Sequence, residues 1–119
     1  LNQTPPELTL DNAIITITRF KELVEKHFKT HHKASQYAQM LHITTNYLNK
    51  LVKTYVHIST KEYIQNRLML EAKRMLLHPK ISAKEIAYQL GFNEPAHFSN
   101  AFKNCTGLST SEFKEKFQS

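Results

Sequence analysis

The run Ile86-Ala87-Tyr88-Gln89-Leu90-Gly91-Phe92-Asn93-Glu94-Pro95-Ala96-His97-Phe98-Ser99-Asn100-Ala101-Phe102-Lys103 decides the fold. Ile86, Ala87 and Leu90 fall on one face of a short helix. Gly91 marks a sharp turn, and a second helix begins near Asn93. Phe98, Ala101, Phe102 and Cys105 share one face of that second helix. Two apolar stripes that close on each other across a short turn make a helix-turn-helix. The opposite face of the second helix carries Ala96, Ser99, Asn100 and Lys103. A small, polar, partly basic surface of this kind suits a DNA major groove.

Outward from this run, three capping boxes mark helix starts. In each, a serine and a glutamate three residues later satisfy exposed amides reciprocally. Ser82 to Glu85 opens the helix just described, and Ser109 to Glu112 opens a closing helix that carries Phe113 and Phe117. Ser59 to Glu62 opens a long helix to about Leu77, with Tyr63, Ile64, Leu68, Ala72, Met75 and Leu76 as its apolar positions. His78-Pro79 ends it, because proline cannot continue the hydrogen-bond ladder. Upstream, a helix from about Thr45 to Tyr55 turns Leu48, Leu51 and Val52 inward. The turn His42-Ile43-Thr44 separates it from a helix of about Ala34 to Leu41, with Ala34, Tyr37, Ala38 and Leu41 inward. Asp11 reads as the N-cap of a first long helix, about Asn12 to Lys29, striped by Ile14, Ile17, Phe20, Leu23, Val24 and Phe28. Residues 1–11 hold Pro5-Pro6 and no stripe, and read as a linker or the end of an upstream domain.

Only two glycines and four prolines interrupt 119 residues, and helical periods run almost throughout, so the class is all-α. Sixteen Lys and Arg against ten Asp and Glu leave a formal charge of +6, which suits a polyanionic partner. Cys105 is the single cysteine, so no intramolecular disulfide forms, consistent with a reducing cytoplasm. No apolar run approaches the ~18 residues of a membrane span. A start at Leu1 rather than Met suits a piece of a longer protein.

The chain repeats itself. Ala34, Tyr37, Ala38, Leu41 and Ile43 match Ala83, Ile86, Ala87, Leu90 and Phe92 at an offset of 49. Leu48, Val52, Lys53, Ile58, Ser59, Glu62 and Tyr63 match Phe98, Phe102, Lys103, Leu108, Ser109, Glu112 and Phe113 at an offset of 50, so the second turn holds one extra residue. The reading is two helix-turn-helix units, at about 34–55 and 83–105, joined by a linker helix at about 60–77, in one domain over 12–118. The two outer faces correspond as well: Asn46, Asn49, Lys50 and Lys53 with Ala96, Ser99, Asn100 and Lys103. Neither carries an acid or a large aliphatic residue, as a surface facing phosphates requires.

At this point the residues resemble a known family. Ile86-Ala87, Leu90-Gly91-Phe92, Phe98-Ser99, Phe102-Lys103, Gly107-Leu108-Ser109 and Phe113 look like the signature of the AraC/XylS transcription regulators. Glu62-Tyr63-Ile64, Arg67, Ala72 and Leu76-Leu77 resemble that family's linker helix. The resemblance implies a seven-helix DNA-binding domain of two helix-turn-helix subdomains, usually C-terminal to an effector-binding or oligomerising domain. It also implies double-stranded promoter DNA and RNA polymerase as partners, transcription activation as the usual outcome, and a cytoplasmic bacterial protein. Some positions depart from the pattern. Asn100 and Lys114 stand where arginine is common, Thr110 where proline is, and Val52 where phenylalanine is. His42 occupies a frequent glycine position, and His57 or Val56 stands where a glycine is expected before Ile58.

For base reading the residues to expect are Thr45, Asn46, Asn49 and Lys50 in the first unit, and Pro95, Ala96, His97 and Asn100 in the second. Asparagine bridges adenine N6 and N7, lysine donates to guanine O6 and N7, and Ala96 packs on a thymine methyl. Lys53 and Lys103 are expected on phosphates, fixing register without reading sequence. The helix starts at Ala34 and Ser82 also offer amides to phosphate. The linker helix spans ~27 Å at 1.5 Å per residue. That is the scale of the ~34 Å major-groove repeat, so two units can read successive grooves.

Other classes fare less well. His27, His31, His32 and His42 lack the converging ligand set of a metal site, and no cofactor is expected. Enzyme chemistry would rest on Cys105, which is expected in the apolar stripe with Phe98 and Phe102, where cysteine acts as a small hydrophobe. The remaining alternative is a protein-interaction module that keeps the fold and binds DNA weakly or not at all. Arg67, Lys73 and Arg74 on the long helix would be exposed for such contacts.

Overall fold

The computed structural model describes residues 10–117. They form seven helices: α1 Leu10–His27, α2 Ala34–Met40, α3 Thr45–Val56, α4 Thr60–Leu76, α5 Ala83–Gln89, α6 Pro95–Thr106 and α7 Thr110–Phe117. The fold is all-α, as the periodicity predicts. Residues 1–9, most of the segment expected as a linker, lie outside the described residues.

Two compact units divide the chain. Unit 1 takes α1 to His27 together with His32–Ile64, and unit 2 takes Phe28–His31 together with the chain from Gln65 on. Helix α4 supplies its first turn to unit 1 and the remainder to unit 2.

In unit 1 the core gathers Ile17, Phe20, Val24, Tyr37, Ala38, Leu48, Leu51 and Val52. Phe20 meets Tyr37 edge-on at 5.8 Å and Tyr63 at 5.2 Å between ring centroids. Burial pushes the Tyr37 hydroxyl up to about 12. The α1 stripe differs from expectation at its first turns. Ala13 is buried, whereas Ile14 is 52 % exposed. The helix also begins at Leu10, so Asp11 lies in its first turn rather than at its N-cap, where its charge still favours the positive end of the helix dipole.

Unit 2 is built on an aromatic series. Phe92 and Phe98 lie 5.5 Å apart, Phe98 and Phe102 5.9 Å, Phe102 and Phe113 5.6 Å edge-on. Such pairs contribute ~0.5–1.5 kcal/mol beyond the area they bury. Leu68, Met69, Ala72, Met75 and Leu76 of α4 are buried on one stripe, with Ile86, Ala87 and Leu90 of α5. Phe117 contacts Phe113 at 4.7 Å but remains 53 % exposed.

Two of the α4 cations expected to be exposed also have partners within the chain, Arg67 half-buried and Arg74 still exposed. The Arg67 guanidinium sits 4.1 Å over the Phe28 ring, a cation–π contact. Arg74 grips the buried Glu71 through two nitrogens, and Lys29 lies 4.0 Å from the same carboxylate. The hydrogen bond from Arg74, then the charges of Arg74, Lys29 and Arg67, outweigh burial and hold the Glu71 carboxyl below its usual range.

The internal repeat extends to single hydrogen bonds. Ile43 N–H donates to the Ala38 carbonyl at 3.0 Å and Phe92 N–H to that of Ala87 at 2.9 Å. His42 and Gly91 follow α2 and α5 with φ of 59° and 86°, and His57 and Gly107 follow α3 and α6 with 71° and 81°. All four are the left-handed residue that closes a helix. The second unit meets this demand with glycine and the first with histidine, which is strained there by roughly 1 kcal/mol. His57, rather than Val56, is therefore the residue at the glycine position.

His57→Gly is expected to stabilise the protein by about 1 kcal/mol in urea denaturation. Gly107→Ala should cost a similar ~1 kcal/mol, through backbone conformation alone, since a Cβ there meets nothing within 4 Å. A Gly107→Ala penalty near zero would contradict the left-handed assignment. A carboxyl with a depressed folded-state pKa contributes stability that is present above its unfolded value, near 4.5 for Glu71, and lost as pH falls through the folded value. Glu71→Gln should thus lower stability at pH 7 and flatten the acid side of a melting-temperature profile measured from pH 7 to pH 3.

Candidate nucleic-acid interface

Helix α3 is set by Thr44, whose hydroxyl accepts the Tyr47 N–H at 3.0 Å. Its inward stripe of Leu48, Leu51 and Val52 fixes which residues face out. Asn46, Asn49, Lys50 and Lys53 are exposed on the outer side, and Thr45 is half-buried at the first turn. The side chains of Asn46 and Asn49 make no hydrogen bond, and Lys50 and Lys53 no ion pair, among the described residues. Their donors and acceptors are free for an incoming ligand.

Helix α6 starts differently. Glu94 is its N-cap residue without a side-chain cap, and Pro95 fills the first helical position, where a missing N–H costs nothing. The helix therefore begins two residues after Asn93, the start read from the sequence. Phe98 and Phe102 face inward, leaving Ala96, His97, Asn100 and Lys103 exposed, with Pro95 and Ser99 half-buried. Each expected set of reading residues thus stays together on the outer side of its own helix, α3 in unit 1 and α6 in unit 2.

Cys105 lies elsewhere than expected. It is an exposed free thiol in the last turn of α6. The stripe of Phe98 and Phe102 has ended by then, and the neighbouring Thr106 hydroxyl turns back to the Phe102 carbonyl at 2.8 Å and meets Leu108. The helix starts expected to offer amides to phosphate are likewise partly occupied. Ser82 and Glu85 satisfy each other's amides in a full capping box, and Gln36 accepts the Lys33 N–H at 3.0 Å.

Sequence reading missed three residues that shape these surfaces. Thr44 caps α3 without the glutamate that would complete a box, so only the hydroxyl signalled it. Glu94 places an exposed carboxylate at the start of α6, an acceptor suited to a cytosine amino group. Lys114, at a position where arginine is common in the resembled family, donates from Nζ to the Ile81 carbonyl at 3.0 Å. That bond ties α7 to the residue before the α5 cap. The α7 start is itself a full box: Ser109 N–H and the Ser109 hydroxyl engage Glu112 and lower its carboxyl.

The helix-turn-helix domain family matches residues 37–116 of this chain. The chain belongs to this family, in its AraC/XylS type. It is 30 % identical over 86 % of its length to the Msm operon regulatory protein of Streptococcus mutans, of which it spans 37 %. The C-terminal domain of AraT, a response regulator from Geobacillus stearothermophilus, superposes with a TM-score of 0.82 at 25 % identity, covering 87 % of each chain. The DNA-binding domain of AdpA, solved in complex with a target DNA, gives 0.76 at 15 % identity, over 86 % of this chain and 92 % of that one. AraC/XylS-type domains of this kind are DNA-binding parts of transcription regulators and not enzymes. No helix among the described residues is long and apolar enough to cross a membrane.

Lys114→Met should lower stability by about 1–2 kcal/mol, the range of a charge-assisted hydrogen bond that is partly exposed. Faster amide exchange at the start of α5 would accompany the loss. Lys114→Arg should keep both near the parent values. Unchanged exchange in Lys114→Met would show that the Ile81 tie does not hold α5.

Proposed function

We propose that this domain binds promoter DNA by placing α3 and α6 in successive major grooves on one face of the duplex, and so regulates transcription, with activation as the expected outcome. The observation that carries the reading is the repeated outer face: two helices with the same inward stripe, each presenting unpartnered amides and amines and no acid within the stripe itself. Asn46, Asn49 and Lys50 read bases from α3, with Thr45 at its first turn. Ala96, His97 and Asn100 read from α6, with Pro95 beside them. Lys53 and Lys103, equivalent in the repeat, hold phosphates. Helix α4 contributes to both units without a break, and its 17 residues extend ~26 Å.

The chain spans just over a third of the Streptococcus relative's length, so effector binding or oligomerisation would lie in a further domain of the whole protein, as would contacts with RNA polymerase beyond this surface. A cytoplasmic setting accords with this role. The module that keeps the fold without DNA is the second reading, favoured by Asn100 standing where arginine is common.

Selection from randomised duplexes, followed by salt titration on the selected site, tests the proposal. Two enriched blocks about ten base pairs apart support two-groove reading. One enriched block means one unit reads bases, and no binding at low salt favours the interaction module. On the selected site, Lys50→Ala should cost about 1–3 kcal/mol and relax preference in one block. Lys103→Ala should weaken all sequences alike and make the salt slope shallower by about one. An unchanged slope would remove Lys103 from the phosphate contacts.

A further inference from the structure

Unit 1 carries a cleft of about 500 Å³ between α1 and the end of α2. Its apolar surface is Leu23 of α1 with Met40 and Leu41. Arg19 and Lys26 flank it on α1, and His42 stands at the turn. None of these residues is among the proposed DNA contacts.

Three observations characterise this cleft. Arg19 and Lys26 form no ion pair among the described residues, although Glu25 on the same helix has a partner and Glu22, the lone acid in the lining, lies beside them. The two cations are seven residues apart, so ~10.5 Å separates them along the axis, with Glu22 and Leu23 between. Finally, His42 occupies the left-handed position at φ 59° while exposed, where the repeat has Gly91. It is strained in place at the mouth of the cleft, as His57 is at the end of α3.

We infer that this cleft docks an acidic amphipathic helix of a protein partner. Two carboxylates two turns apart on such a helix match Arg19 and Lys26, and one or two apolar side chains between them cover Leu23, Met40 and Leu41. That is helix-in-groove recognition, read as anchors at helical spacing. Two separated cations with an apolar floor fit an extended partner, whereas a single-headed small anion would leave one of them unmatched. The imidazole of His42 supplies a hydrogen bond to the partner's end. Because the site adjoins the turn into α3, a bound partner would sit beside the reading helix without covering its outer face.

The test titrates the ¹⁵N-labelled domain with a synthetic amphipathic peptide of about sixteen residues, carrying two glutamates seven apart around a Leu-Phe pair. A twin with glutamines replaces the acids. Shifts should map to Arg19, Leu23, Lys26 and residues 40–42, with the twin bound about tenfold more weakly. The Arg19→Ser/Lys26→Ser variant should lose about tenfold in peptide affinity while DNA affinity, measured in parallel, stays within about twofold. His42→Gly should raise the melting temperature yet weaken the peptide severalfold, a pairing that a purely structural role for His42 would not give. Equal binding of the twin, shifts outside the cleft, or unchanged peptide affinity in either variant would overturn the inference. So would a double variant that loses DNA affinity and salt slope with peptide binding intact, since the cations would then serve the DNA backbone. Failure of DNA binding alone leaves the peptide result standing, so the two readings fail separately.

Discussion

Helices α2 and α5 have seven residues each, about two turns. An isolated helix of that length does not persist in water, because nucleation costs more than so few hydrogen bonds return. Each therefore persists by burying its stripe, chiefly against the helix that follows, and that requires the chain to reverse within a few residues. The reversal is made by one residue in left-handed conformation and one long-reach bond, Ile43 to Ala38 in one unit and Phe92 to Ala87 in the other. From it follows the orientation of α3 and α6, and from their inward stripes follows which side chains look outward.

This dependence explains what the sequence could reveal. Stripes, capping boxes and the offset of 49 or 50 are local patterns, and they locate all seven helices and the extra residue of the second turn, which connects through five residues against four. Where the reading went astray, the deciding fact lay in a distant neighbour. Ile14 has the right spacing to be buried but nothing covers it, while Ala13 is covered. Cys105 follows Phe98 and Phe102 in period but outlasts the core beneath them. Arg67 reads as a solvated charge because Phe28, 39 residues earlier, cannot be paired with it by spacing alone, whereas the Glu71–Arg74 pair stands at helical spacing and was simply not drawn. The outer faces of α3 and α6 were legible because amphipathic helices define them by exclusion. Lys114 was recognised only as a departure from the family's pattern, since its acceptor lies 33 residues away.

The two units solve the same problem with different materials. Phe98, Phe102 and Phe113 carry the second, and their counterparts Leu48, Val52 and Tyr63 leave the first to draw Phe20 from α1 and its own Tyr37. Glycine relaxes the left-handed positions of the second unit, and histidine strains those of the first. The second unit is accordingly the closer to the family pattern in its core, while the outer face of α6 carries Asn100 where arginine is common. Fold signature and outer surface are thus under separate physical control, the one by buried volume and backbone torsion, the other by exposed hydrogen-bonding groups.

The chain passes from the first unit to the second and back before it finally enters the second, because Phe28–His31 pack with the later residues. No single cut can therefore release the second half intact. A fragment beginning at Gln65 would leave the Arg67 guanidinium without its aromatic platform and deprive Glu71 of Lys29. Gene fusion or recombination at the midpoint would inherit the same defect. Although the sequence looks like one module copied twice, its heritable unit is the whole interleaved domain.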